Sequence, residues 1–203
     1  MRWGEGRLGL EVLREACSAC HRISLAQPPH YWSAYNKGQA AIIIPLIHDQ
    51  GHPGVLLTKR SQRLRKHAGQ ISFPGGMIDL ERDETAQEAA LRELKEEVRL
   101  PANLKMTLVG PLGCYPSRPS QLRVWPFVAI LDAPTGHHWE PASAGEVDQV
   151  FSTGLEEVKK PSGWSVIQPG WPPMPHYELA GMGRVWGMTA YILHDFLSKL
   201  RDL

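Results

Sequence analysis

Residues 76–100 read GMIDLERDETAQEAALRELKEEVRL, and the reading of this stretch decides the fold. Its second half predicts a helix over Thr85–Val98. Thr85 stands as N-cap with Glu88 three residues on, which makes a capping box, and Pro101 stops any continuation. At helical spacing Glu93, Glu96 and Glu97 fall within about a 100° arc, while Leu91, Leu94 and Val98 lie on another side. The helix can therefore bury an apolar stripe and turn three carboxylates toward one point from an exposed face. Like charges so placed repel unless something compensates them, and clustered oxygens suit hard cations such as Mg²⁺ or Mn²⁺. Taken alone, the same residues also read as a solvated acidic face.

Outward from this helix, Ala40–Ile47 (AAIIIPLI) predicts a buried strand and Val55–Thr58 its return partner, with turn chemistry over His48–Gly54. Ile71–Phe73 predicts a short strand ending in a Gly75-Gly76 turn. Leu108–Leu112, Val124–Leu131 and Gln149–Ser152 predict further strands. Pro161–Pro175, rich in Pro, Gly and Trp, reads as a loop, and Gly187–Leu200 as a C-terminal helix. Leu10–Cys20 has helical spacing before Pro28 and Pro29 break the chain. Strands mixed with flanking helices imply an α/β layered domain.

Composition narrows the function classes. With 42% hydrophobic and 21% charged residues among 203, the chain has enough apolar material for a folded core. A formal net charge of +1 points to neither a nucleic-acid partner nor a membrane surface. No apolar run approaches the length of a membrane span, and Met1–Leu10 lacks the apolar core of an export signal. Three cysteines are too few for a disulfide framework, so a reducing cytoplasm is expected. Cys17-Ser18-Ala19-Cys20-His21 has the spacing of a haem attachment site, but it extends the amphipathic segment and reads as helix packing.

The spacing Glu84-x₇-Arg92-Glu93-Leu94-x-Glu96-Glu97 closely resembles the Nudix box, the signature of the Nudix hydrolase family. Two departures stand out. Seven residues separate Gly76 from Glu84 where the pattern has five, and Arg99 stands where the pattern has Gly. A left-handed helix cap at that position would cost Arg more than Gly. The resemblance implies an α/β/α sandwich with a mixed sheet. It divides the chain into an N-terminal helix and extended segment (1–36) and a Nudix domain (37–203). It implies Glu93 and Glu97 as principal metal ligands, Glu96 as a further ligand or supporting group, Arg92 paired with Glu84, and the Gly76 carbonyl as an added oxygen. The metal would neutralise phosphate charge and acidify water, which an anionic pyrophosphate needs before a nucleophile can approach.

Leu56–Gly76 reads LLTKRSQRLRKHAGQISFPGG. Thr58, Arg60, Ser61, Arg65, Gly69 and Phe73-Pro74-Gly75-Gly76 resemble the signature of the coenzyme A pyrophosphatase branch of that family, as does the longer loop before Glu84. Here Arg60, Arg63, Arg65 and Lys66 crowd a short segment, and guanidinium and ammonium groups bind phosphate. By themselves they read as a solvated basic turn. Glu146, in Gly145-Glu146-Val147, matches the region where relatives supply an extra carboxylate, as ligand or base; it also reads as a plain surface residue. The resemblance implies Mg²⁺- or Mn²⁺-dependent hydrolysis of coenzyme A or acyl-coenzyme A to 3′,5′-ADP and (acyl-)4′-phosphopantetheine. The alternatives are another nucleoside diphosphate derivative such as ADP-ribose, or a non-catalytic binding module. A homodimer is the assembly common among such relatives.

Overall fold

The computed structural model describes residues 37–49, 52–117, 120–134, 136–142, 145–167, 169 and 172–202, together with Leu13 and Glu15. The expected helix over Leu10–Cys20, with its cysteine pair, otherwise lies outside the described residues, as does Trp171.

Eight strands join in one sheet: β1 (Gln39–Asp49), β2 (His52–Arg60), β3 (Ile71–Ser72), β4 (Gly75–Met77), β5 (Lys105–Pro111), β6 (Tyr115–Ser117), β7 (Leu122–Asp132) and β8 (Val147–Gly154). β1 and β7 run parallel, from Gln39 beside Arg123 to Ile47 beside Leu131, and the other pairs are antiparallel, so the sheet is mixed. A smaller sheet holds β9 (Gly163–Ser165), β10 (Met174–Leu179) and β11 (Gly183–Val185). The helices are α1 (Ala86–Glu97) and α2 (Gly187–Asp202).

Both faces of the large sheet are buried, which is why β1 reads as a continuous apolar run. Ala41, Ile43 and Ile47 pack with Ala89, Ala90 and Leu94 of α1, joined by Leu56, Phe127 and Ala129. Ala40, Ile44 and Leu46 face the other way, toward Leu193, Phe196 and Leu197 of α2, and Leu13 is buried in that same cluster. The result is the expected α/β/α arrangement. Truncating Leu94, which is fully buried, to Ala would cost about 2–5 kcal/mol in lost contact and cavity.

One edge of β1 is shared, and this builds the site. β2 pairs with it only from Leu46–Val55 to Asp49–His52, then splays away. β4 takes the same edge at Ala40–Ile42, and the Ile43 N–H donates to the Pro74 carbonyl between the two. Gly75-Gly76 is therefore strand rather than turn. A β-carbon on Gly75 would lie 2.5 Å from the Ala41 carbonyl oxygen, so only glycine lets the two backbones meet this closely. The Pro161–Pro175 segment likewise is not all loop. It contains β9 and the start of β10, paired from Gly163–His176 to Ser165–Met174. The turn expected over His48–Gly54 is shorter too, since β1 and β2 pair as far as Asp49 and His52.

The C-terminus of α1 meets Arg99 without strain. Val98 is extended (φ −119°, ψ 128°), its N–H still donates to the Leu94 carbonyl, and it forms a β-bridge with Pro141. The Arg99 N–H donates to Glu140 and the Ala142 N–H to Glu97. The helix thus ends by entering a strand-like contact, and no left-handed cap is required of Arg99.

Candidate active site

The capping box that starts α1 is formed. The Glu88 N–H donates to Thr85 Oγ1 at 3.1 Å, and Glu88 Oε2 accepts from the Thr85 N–H at 3.1 Å. This fixes the helix phase, which carries Glu93 and Glu97 toward the gap where β2 leaves β1. The three glutamates do not converge on an exposed face. Glu97 is only 1% exposed, Glu93 is largely covered, and Glu96 stands at the rim. Glu97 borders the apolar stripe, so packing α1 on the sheet carries it inward with Leu94.

Glu97 meets β2. Thr58 Oγ1 donates to its Oε2 at 3.4 Å, and Arg60 Nη1 lies 3.8 Å from its Oε1. Burial pushes the Glu97 carboxyl up to about 8, helped by the like charges of Glu93 and Glu146; the Arg60 charge and the Thr58 hydroxyl oppose this and do not prevail. Burial also raises Glu93, against the pull of Arg92 and with Glu96 and Glu146 adding to the rise. Glu146 is exposed, and its backbone carbonyl accepts from the Ser61 N–H at 2.8 Å. Its charge adds to the rise at both Glu93 and Glu97.

Gly76 abuts the Glu93 carboxylate. A β-carbon there would lie 2.5 Å from Glu93 Oε1, so the strand edge and the helix meet through a glycine.

Arg92 uses all five of its N–H donors. Nε and Nη2 grip Asp83 at 2.9 and 2.8 Å, Nη2 also reaches the Met77 carbonyl at 3.2 Å, and Nη1 serves Glu93 at 2.8 Å and Glu96 at 2.9 Å. The expected partner, Glu84, is exposed, and its place is taken by Asp83. The longer loop explains the shift. Asp79 and Asp83 close a tight turn, with the Asp79 N–H on Asp83 Oδ2 at 2.8 Å and the Asp83 N–H on the Asp79 carbonyl at 2.7 Å. That turn aims Asp83 inward and Glu84 out. The Arg92 hydrogen bonds hold the Asp83 carboxyl down at about 2.

Arg82, in the same turn, donates to Glu96 Oε1 at 2.7 Å, so Glu96 is held between two guanidinium groups and its carboxyl lies below its ordinary range. Neither Arg82 nor Asp83 stands out in the sequence alone. The Asp79-x₃-Asp83 spacing, suited to side chains that turn back on the backbone, was the available signal.

Among the described residues no group of three acidic, His or Cys side chains is drawn closely enough together to hold a cation. The reason is visible: Glu96 is pulled aside by Arg82 and Arg92, and Glu93 leans on Arg92. The donor chemistry nevertheless suits a hard cation. Two partly or wholly buried carboxylates, pushed toward their protonated forms, lie near a third, Glu146, and a cation there would offset their charge.

The basic residues divide. Arg60 ends β2 and faces Glu97. Arg63, Arg65 and Lys66 lie exposed on the β2–β3 connection. Lys59 points to the opposite face, where Nζ donates to the Met182 carbonyl at 3.0 Å. A cavity of about 200 Å³ lined by Ile167, Met174, His176, Arg184 and Trp186 shares no residue with the carboxylate site. No helix among the described residues is long and apolar enough to cross a membrane.

The profile of a family described as NUDIX domain matches residues 37–169. A protein of Citrobacter koseri named "Uncharacterized Nudix hydrolase NudL" is 35% identical over 189 residues, covering 88% of this chain and 91% of that protein. A protein of the same name from Klebsiella pneumoniae subsp. pneumoniae is 36% identical over 184 residues, with the same coverage of 88% and 91%. Among solved structures, a mutT/nudix family protein from Listeria innocua matches at a TM-score of 0.47 and 21% identity, over 81% of this chain and 92% of that one.

Proposed function

The chain belongs to the NUDIX domain family and is a Nudix hydrolase, and from that premise we propose that it hydrolyses the diphosphate linkage of coenzyme A or acyl-coenzyme A. The products are 3′,5′-ADP and (acyl-)4′-phosphopantetheine. One observation carries this reading: the stretch resembling the coenzyme A pyrophosphatase signature and the glutamate helix are built into each other. Thr58 and Arg60 reach Glu97, and Gly76 reaches Glu93. The exposed cations Arg63, Arg65 and Lys66 follow directly on the same connection, where a second phosphate group of the substrate finds its partners.

In this reading Glu93 and Glu97 would hold Mg²⁺ or Mn²⁺, with the Gly76 carbonyl and Glu96 as the further oxygens within the site. The ion supplies neutralisation of phosphate charge and makes water easier to deprotonate. Arg92 binds no substrate; it spends every donor on Asp83, Met77, Glu93 and Glu96 and keeps the loop and helix in register. Glu146 is the exposed carboxylate on the site's open side and takes the proton of the attacking water. The water oxygen bonds to a diphosphate phosphorus, and the bond from that phosphorus to the bridging oxygen breaks.

The experiment is a substrate panel of coenzyme A, acyl derivatives, dephospho-coenzyme A, ADP-ribose and nucleoside triphosphates, each with Mg²⁺ and with Mn²⁺. The highest kcat/KM is expected for coenzyme A or an acyl derivative. A higher value for ADP-ribose moves the assignment to that class, and no metal-dependent turnover of any compound leaves a binding module.

A further inference from the structure

Arg60 and Arg92 are both partly covered arginines beside the same glutamates, yet their situations are opposite. Arg92 has no donor left over. Arg60, 27% exposed at its side chain, makes no side-chain hydrogen bond among the described residues, and its Nε is buried without a partner. Its nearest anion is Glu97 at 3.8 Å, close enough for charge to act but too far for a hydrogen bond.

The backbone holds this arrangement in place. The Arg60 N–H donates to the Gln70 carbonyl at 2.9 Å, and its carbonyl accepts from the Gly69 N–H at 3.1 Å. The β2–β8 register shifts between Lys59 and Arg60: Lys59 pairs with Gln149 but Arg60 with Val147, so Asp148 is the extra residue. Such a bulge re-aims the side chain beside it. Here Thr58 and Arg60 both reach Glu97, while Lys59 goes to the other face. Val147, the partner of Arg60, directly follows Glu146. A guanidinium with a fixed backbone and unspent donors, next to a carboxyl group expected to hold a cation, is arranged to receive an incoming anion.

We propose that Arg60 is the contact for the reacting diphosphate rather than for an outlying phosphate, and that in the free protein its positive charge, 3.8 Å from Glu97, opposes the binding of a divalent cation there. A divalent ion held by Glu97 would repel the Arg60 guanidinium, whose planar fork would then be available to donate two N–H groups to the diphosphate oxygens. This rests on the diphosphate-hydrolase reading above.

Two measurements test it, on the full chain with a thermal melt to confirm folding. The first is Mn²⁺ binding without substrate, read from the EPR signal of free Mn²⁺. Arg60→Gln should bind Mn²⁺ several-fold more tightly than wild type, because a competing charge is gone, and Arg60→Lys, which keeps that charge, should return toward the wild-type value. The second is kcat/KM for coenzyme A and dephospho-coenzyme A. Arg60→Gln should lower both by the same factor, roughly 10- to 150-fold, the range for hydrogen bonds to a charged group. An unchanged or weaker Mn²⁺ affinity in Arg60→Gln overturns the proposal, and so does a loss confined to coenzyme A, which would return Arg60 to the outlying phosphate. If wild type turns over no diphosphate compound at all, the functional reading has failed instead, and the Mn²⁺ measurement still decides whether Arg60 competes at Glu97.

Discussion

Arg92 holds both carboxylate oxygens of Asp83, at 2.9 and 2.8 Å, and leaves the adjacent Glu84 to solvent. Asp83→Asn should therefore destabilise the protein by about 1.5–3 kcal/mol, the range for a hydrogen bond to a charged partner, and lower turnover by loosening Arg92. Glu84→Gln should stay within about 0.5 kcal/mol, as surface changes do. Urea unfolding of the two variants side by side checks this, and equal losses would restore Glu84 as the anchor. Because the folded Asp83 carboxyl titrates near 2, below its ordinary 3.8, its contribution is present above pH 3.8 and lost as pH falls through 2.

Glu97 behaves in the opposite sense. Its carboxyl rises from 4.5 to about 8 on folding, so the folded state keeps a proton that the unfolded chain has released. That contribution is full below pH 4.5 and is lost as pH rises toward 8. In EDTA, Glu97→Gln should gain stability over wild type between pH 5 and pH 8, by on the order of a few kcal/mol at about 1.4 kcal/mol per pKa unit. With Mg²⁺ or Mn²⁺ added, the same variant should lose most turnover. Melting curves of wild type and variant that stay parallel from pH 5 to pH 8 would contradict the burial argument.

Gly76→Ala should keep the fold and damage the site. The new methyl group meets the end of the Glu93 side chain, which can swing away, so the cost falls on the carboxylate's position. Mn²⁺ affinity should drop along with turnover while the melting temperature changes little. Wild-type Mn²⁺ affinity in this variant would remove Glu93 from the ligand set.

Among Arg63, Arg65 and Lys66, one or two should account for any preference for coenzyme A over dephospho-coenzyme A, since three exposed side chains cannot all touch one phosphate. Replacing the true contact by Ala should erase the preference and spare the dephospho substrate. The loss should lie near the low end of about 10- to 150-fold, because all three are exposed and screened. Equal handling of both substrates by wild type would return these residues to the role of a solvated turn.

The sequence by itself determined what depends on neighbours along the chain. The α1 helix begins at its capping box because Thr85 and Glu88 are three residues apart, and β1 and β7 follow from apolar runs that only a doubly buried strand accommodates. The carboxylates of the candidate site were legible for the same reason, since helical spacing brings Glu93 and Glu97 one turn apart. Tertiary structure alone decided the rest. Glu97 is buried because β2, 39 residues upstream at Thr58, packs over it, and no local pattern reports that distance. Gly75-Gly76 has the chemistry of a turn, but the edge of β1 left open by the splayed β2 recruits it as β4. β9 to β11 lack the β-branched alternation of ordinary strands and exist through pairing with one another. Which acid Arg92 grips was settled by the turn from Asp79 to Asp83, whose geometry chose between two adjacent carboxylates that sequence spacing treats alike.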